Sequence, residues 1–445
     1  MKRSLFLLVA GMLVLGILLT ACGPQETMEP TEEPTEEMTE EPTEEMTEEP
    51  TEEPTEEMTE EPGDCPDGVT TITIWHGYAG DYQGHLESLF DEFNETNEMC
   101  VMLEYARVDD LSDSLAVAVP AGEGPDILAW ANDQIGRNAL TGNIAPIDDY
   151  VDMAFLEENY TPPAVDGVVW NDQIWALPET MEGIALVYNT ALVTEEELPD
   201  PDDFEDLLTK AADFRTANPD MWYLCNQGLG NPDAYHVAPI YFGHGMPGYV
   251  DDEGTVYLDT PEGIAAGEWM VEFSGFAPAE TSHEICQAML TEGQAAMWWT
   301  GPWAISSVES AGLDYGIAPM GKPFVGIKAW MLTSNAVDRG NAELAVEVMK
   351  WWTSTETELA RVLETKEIPA NTAALNDPEV QAMYTVSGFG ASLERGIPMA
   401  NTPFMDALWG PVGDATTAIW TGAQTPEEAL ADAQTTAEEA IEDMQ

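Results

Sequence analysis

"VTTITIW", Val69–Trp75, alternates residue by residue, with Ile72 and Ile74 falling on one face and Thr71, Thr73 and Trp75 on the other. A period of two in β-branched and aromatic residues marks a strand with one face turned to a core. Downstream, Leu86, Leu89, Phe90 and Phe93 recur at i, i+3, i+4 and i+7, the apolar stripe of an amphipathic helix. A second β-rich run, Val101–Tyr105, precedes a helical segment around Leu111–Val119, and "GPDILAW", Gly124–Trp130, gives a third strand. Strands alternating with helices predict an α/β fold built on a largely parallel sheet. The same vocabulary continues. "VVWNDQIWALP" places Asn171-Asp172 between two apolar runs as a hairpin turn. "GIALVYN" is a strand, and Phe204, Leu207, Leu208 and Ala211 carry another helical stripe. Helices are expected over Pro261–Phe273, His283–Glu292, Asn341–Leu363 and Pro426–Met444.

The chain before Val69 has a different character. Lys2 and Arg3 precede an apolar run, Leu5–Leu19, the pattern of a secretory signal. Leu19-Thr20-Ala21-Cys22 resembles the lipobox of bacterial lipoproteins, which implies that residues 1–22 are a signal peptide and that Cys22 is the lipidated N-terminus of an extracytoplasmic, membrane-anchored lipoprotein, at the cell surface or in the periplasm. Residues 23–64 are expected to be a disordered acidic linker, because Thr31–Pro62 repeats Thr-Glu-Glu-Pro or Thr-Glu-Glu-Met without a basic residue and cannot bury a core. Extended by its own repulsion and prolines, that repeat could reach on the order of 100 Å.

Residues 65–445 hold 65 acidic and 11 basic residues, formally −54, once the 19 acids of 26–64 and the two leader bases are set aside from the chain's 84 and 13. Such a surface repels nucleic acid and anionic membrane. Their length suits two lobes rather than one core. Cys65, Cys100, Cys225 and Cys286 make an even set in an exported protein, so disulfides are expected, in one of three pairings. Pairing of sequence neighbours, Cys65 with Cys100 and Cys225 with Cys286, is favoured over metal ligation, for which the spacing is wrong.

No phosphate loop, Gly-x-Ser-x-Gly elbow or His-Glu-x-x-His occurs, so no catalytic residue, metal or cofactor is assigned. Aromatic residues beside turns stand out instead: Trp75, Trp130, Tyr235, Trp303 and Trp409. A flat ring matches the C–H face of a pyranose, and Asp or Glu accepts from its hydroxyls, the combination a neutral sugar requires. Trp269, Trp298, Trp351 and Trp352, inside regular elements, are assigned to core.

"GEGPDILAWANDQIG", "WALPETMEGIALVYN", "GQAAMWWTGPWAISS", "KPFVGI" and "PFMDALW" resemble, in order and approximate spacing, the maltose/maltodextrin-binding proteins, which are extracellular solute-binding proteins of family 1 serving ABC importers. The resemblance implies a two-lobe, type II periplasmic-binding-protein-like α/β fold with a hinge and an interlobe cleft. Lobe one would take about 69–181 and 330–376, and lobe two about 182–329 and 377–445. It places Trp130, Asp133, Glu182, Tyr235, Trp303 and Trp409 on the sugar cleft, with Asp233 and Met399 matching less closely; Asp133 could also cap the helix that follows it. The sequence departs from the family where Ala79-Gly80 replaces an Asp-Lys pair and Gln134 replaces an arginine; Tyr78, Asp81 or Gln134 are candidates to compensate. The implied function is hinge-closing capture of maltose or maltodextrin-like oligosaccharide, without cleavage, by a monomer that delivers it to membrane permease subunits. The rival readings are a polyamine receptor on the same fold and a surface glycoside hydrolase or adhesin.

Overall fold

The computed structural model describes Cys65 and residues 68–444, with 79 and 110 excepted. The signal segment, Cys22, the linker 23–64 and the Asp81 side chain lie outside the described residues. In chain order the strands are β1 (Thr70–His76), β2 (Val101–Arg107), β3 (Ile127–Ala131), β4 (Val169–Trp170), β5 (Gln173–Ile174) and β6 (Ala176–Glu182). They continue as β7 (Ala185–Asn189), β8 (Trp222–Asn226), β9 (Ala295–Thr300), β10 (Tyr315–Ala318), β11 (Phe324–Leu332), β12 (Ile368–Pro369) and β13 (Ile397–Pro398).

Two main sheets result, one per lobe. The first runs β12-β6-β11-β3-β1-β2, with β13 joined to the start of β11. Its strands β1, β2 and β3 are mutually parallel, whereas β11 runs antiparallel to β3 and β6. The second sheet runs β10-β7-β9-β8. Alternation in β1 sends Ile72, Ile74 and His76 inward, and the helix Gly80–Thr96 covers that face with Leu86, Phe90 and Phe93. The expected hairpin is β4–β5, and its turn holds Asn171 and Asp172 at φ 52° and 60°, the left-handed pair that a tight hairpin of this hand demands.

The chain passes between lobes from β6 to β7 and from β10 to β11. Lobe one therefore reclaims the chain earlier than the expected residue 330: Gly326 already pairs with Glu182, and Lys328 with Ala131. It also keeps the chain past residue 376, because Val380 packs with Val362 and Val386. The helix expected over Asn341–Leu363 is two helices, Ala342–Trp352 and Thr355–Thr365. The break falls where Ser354 accepts from the Thr357 N–H, offering the backbone a cap in place of continuation.

Trp298 and Trp299 point to opposite faces of the second sheet, each wholly buried. Trp269 and Trp352 are buried too, and Trp351 packs on the core from its edge. Both disulfides join sequence neighbours, Cys65–Cys100 and Cys225–Cys286, with Cα–Cα distances of 5.8 and 5.4 Å. The second ties β8 to the helix His283–Thr291, closing a span of 61 residues.

Candidate functional site

A cavity of about 780 Å³ opens where the two lobes face each other, within the roughly 300–1,000 Å³ typical of ligand pockets. Its walls are built from strand ends and the turns that follow them, the positions where α/β sheets place ligands. Trp130 and Asp133 come from the end of β3 and the turn after it, and Glu182 is the last residue of β6. Trp130 can lie flat only because Gly77 faces it: a Cβ there would stand 2.3 Å from the indole ring.

The second lobe supplies the opposite wall. Asp233 caps the helix Ala234–Gly243 by accepting from the His236 N–H at 3.1 Å, and this seats Tyr235 on the first turn. Trp303 follows Gly301-Pro302 in a short 3-10 turn. Its ring folds back over Gly301, where a Cβ would lie 2.2 Å from it. Phe324 stands behind Tyr235, stacked at 5.9 Å, and edge-on to Trp409, so the hinge-proximal end of β11 fixes both rings. Trp409, in the helix Asp406–Thr421, donates from Nε1 to Asp133 Oδ2 at 3.0 Å, linking the lobes across the cleft. Arg137 and Asp406 make a second link at 3.0 Å.

Eight of the nine residues expected from sequence line this cavity: Trp130, Asp133, Glu182, Asp233, Tyr235, Trp303, Met399 and Trp409. Gln134 does not. It is buried behind the wall, donating to Asp133 Oδ2 at 3.1 Å and accepting from Ser112 Oγ, so it orients the carboxylate instead of facing the cleft. Asp133 occupies the N-cap position of the helix Gln134–Leu140, but its side chain makes no cap hydrogen bond; the carboxylate is engaged by Trp409 and Gln134. Trp75 is not among the lining residues; it lies on the face of β1 opposite Ile74 and packs against the core.

Several wall residues have no counterpart in the sequence expectations: Tyr82, His283, Gln287, Ser307 and Lys328 among them. Only Lys328 left a readable mark, a single charge within the otherwise apolar strand "FVGIKAWML", since lysine is almost never buried without a partner.

Burial governs the charges. It pushes the Asp133 carboxyl up to about 6, against the hydrogen bonds from Gln134 and Trp409. It also raises Glu182, partly offset by the Lys328 ammonium. For Asp233 burial is outweighed by the His236 imidazole, whose Nδ1 lies 2.8 Å from Oδ2, and by hydrogen bonds from His236 and Gln227; the carboxyl is held well below its ordinary range. Tyr235 Oη, His236 Nε2 and Glu182 Oε2 are buried without a hydrogen-bond partner. Unsatisfied polar atoms cost about 1–3 kcal/mol each, so a cavity lined with them is set for a polar guest.

Two lobes of this topology, closing on one ring-lined cleft, define a type II solute-binding protein. A family model described as bacterial extracellular solute-binding protein matches residues 88–386, and the chain belongs to that family. It is 31% identical over 367 residues to the maltotriose-binding protein of Pyrococcus abyssi, spanning 78% of this chain and 77% of the relative. It is 27% identical over 348 residues to the galactooligosaccharide-binding protein of Bacillus subtilis, spanning 73% and 79% respectively. Among solved structures it resembles the maltose/maltodextrin-binding domain of Bdellovibrio bacteriovorus bound to maltotriose, with a TM-score of 0.74 and 24% identity over 84% of this chain and all of that one.

Proposed function

We propose that the protein captures a neutral oligosaccharide of the maltodextrin class in the interlobe cavity and presents it to an ABC permease. The observation that carries this reading is the convergence of Trp130, Tyr235, Trp303 and Trp409, drawn from both lobes, on one cavity with Asp133, Glu182 and Asp233 between them. Rings supply apolar area to pyranose faces, and carboxylates accept from hydroxyls. A ligand touching both lobes favours the closed arrangement only through its greater affinity for it. Binding at about micromolar Kd requires roughly −8 kcal/mol, which stacked rings and buried charge-assisted hydrogen bonds can supply. In this reading the protein releases its guest unchanged. Cys22 carries the lipid, and the acidic stretch 31–62 holds the receptor away from the membrane.

A polyamine would also suit acids and rings, but Lys328 places an ammonium on the same wall. The two relatives are named for maltotriose and for galactooligosaccharide, so the decisive experiment is calorimetry of the folded protein with maltotriose, a galactooligosaccharide and spermidine at low and high salt. The expected result is maltotriose binding that barely changes with salt and is lost in Trp303→Ala. Tight maltotriose binding by Trp303→Ala, or a preference for spermidine that collapses with salt, would refute the assignment.

A further inference from the structure

Strand β11 reads Phe324–Leu332 with one charge in it, Lys328. Among the described residues, its ammonium is the only lysine or arginine group on the cavity wall. The side chain is nearly buried, with Lys328 6% exposed. Isolated there, the charge would cost several kcal/mol. Carboxylates offset this: Glu367 is in direct contact and Glu182 Oε2 lies 3.4 Å away. The rings of Tyr82 and Tyr78 stand 4.2 and 5.2 Å from Nζ. Neither ring is free to swing aside, because Tyr78 Oη donates to Glu179 at 2.7 Å and Tyr82 Oη at 2.5 Å. Glu179 in turn accepts from Trp330 Nε1 at 3.0 Å and pairs with the buried Arg361 guanidinium.

This corner is incomplete in a specific way. An ammonium has three N–H donors and no acceptor, and Glu367 engages one of them. Glu182 Oε2 is paired with the same ammonium through a longer contact of 3.4 Å, which leaves the carboxylate capacity to accept from a further donor. A donor with unused directions and a buried acceptor thus stand side by side on the cavity wall. A hydroxyl both donates and accepts, so one hydroxyl, or two on adjacent carbons, can satisfy the pair. An ammonium ligand would meet Lys328, and a carboxylate ligand would meet Glu182. The opposite end of the cavity has another character: Glu284 is exposed, and Gln287, Ser306 and Ser307 are only half-buried. Tyr235 is within electrostatic reach of both Glu182 and Asp233, and Asp233 is within reach of His283.

We propose that Lys328 and Glu182 form a closed terminal subsite that reads free hydroxyls on the end ring of a linear oligosaccharide, the remaining rings running past Tyr235 towards the open end at Glu284. Lys328 is thereby a specificity-determining residue. This inference rests on the oligosaccharide reading above and adds to it that the receptor selects chain ends and rejects rings.

The test is calorimetry with linear maltohexaose and its cyclic counterpart of equal ring count, using the wild type and the double variant K328M/E367Q. Neutralising both leaves neither Lys328 nor Glu367 as an unpaired charge, while Glu182 loses its cation, so a thermal melt reports whether the variant folds. The wild type is expected to bind the linear sugar at least about tenfold tighter than the cyclic one, a gap of roughly 1.4 kcal/mol. In the variant, linear affinity should fall by at least the same factor and the difference between the sugars should collapse. Should the double variant fail to fold, K328R carries the same test, since it keeps the charge and moves the donors. Wild-type affinity for the linear sugar in a folded variant would overturn the inference, and so would equal wild-type affinity for the two sugars. If the folded wild type binds neither sugar, the oligosaccharide reading falls and takes the subsite with it.

Discussion

Asp133→Asn should make the protein more stable and a poorer receptor. Burial lifts the Asp133 carboxyl from 3.8 to about 6 in the fold. A tenfold change in proton affinity corresponds to about 1.4 kcal/mol, so the ionised carboxylate destabilises the fold by about 3 kcal/mol at pH 8 relative to an unperturbed acid. The sign follows from proton binding. With the folded value above the unfolded one, the cost is fully present above pH 6, falls as pH drops through 6 and vanishes below 3.8, leaving about 1 kcal/mol at pH 4.5. Asparagine removes the charge but can keep both hydrogen bonds, because Trp409 Nε1 and Gln134 Nε2 both donate to the same oxygen, Oδ2. Urea denaturation at pH 8 and pH 4.5 should give a variant up to about 3 kcal/mol more stable at the higher pH, with the advantage shrinking to about 1 kcal/mol at the lower. Oligosaccharide affinity should fall, since a hydrogen bond to a charged acceptor contributes about 1.5–3 kcal/mol and the amide substitutes poorly for it. A variant that is less stable at pH 8, or whose advantage does not change with pH, would refute the burial argument.

Replacing Cys225 and Cys286 by alanine frees β8 from the helix that carries His283 and Gln287 to the cavity wall. Loop closure over the 61-residue separation implies a loss of about 4 kcal/mol, read as a lower urea midpoint, together with weaker oligosaccharide binding. Gly301→Val would set its side chain against the Trp303 ring, 2.2 Å from the Cβ position, so calorimetric affinity should drop at least about tenfold; an unchanged value would mean that this ring does not need its seat. With a formal charge of −54 over residues 65–445, the fold repels itself. Raising salt from about 0.1 to 1 M shortens the screening length from about 10 to 3 Å and should raise the melting temperature, whereas a constant or falling one would show that self-repulsion contributes little.

Elements whose code is local were legible in the chain. Alternation in β1, the stripe Leu86–Phe93, the helix Pro261–Phe273 and the Asn171-Asp172 turn depend on neighbours within a few residues, and each stands where periodicity and turn chemistry put it. Where local signals competed, the pattern misled: apolar spacing runs on through Asn341–Leu363, yet the Ser354 cap divides it. The aromatic set beside turns was visible, but Trp75 shares the signature of Trp130 and does not line the cavity. No single-strand pattern says which end of a strand faces the cleft.

The sequence alone determined that this chain is an α/β protein with an acidic composition and an even set of four cysteines after Cys22, because strand and helix periods, charge and turn chemistry are properties of short segments. Only the tertiary structure decided how the side chains of the cavity are partnered. Asp133 meets Trp409 across 276 positions, and Lys328 finds Glu367 and Glu182 only because β11 returns between β3 and β6. The charge state of each carboxyl also belongs to the assembled lobes, since burial and a partner's distance set it and neither exists until the sheets have closed on each other.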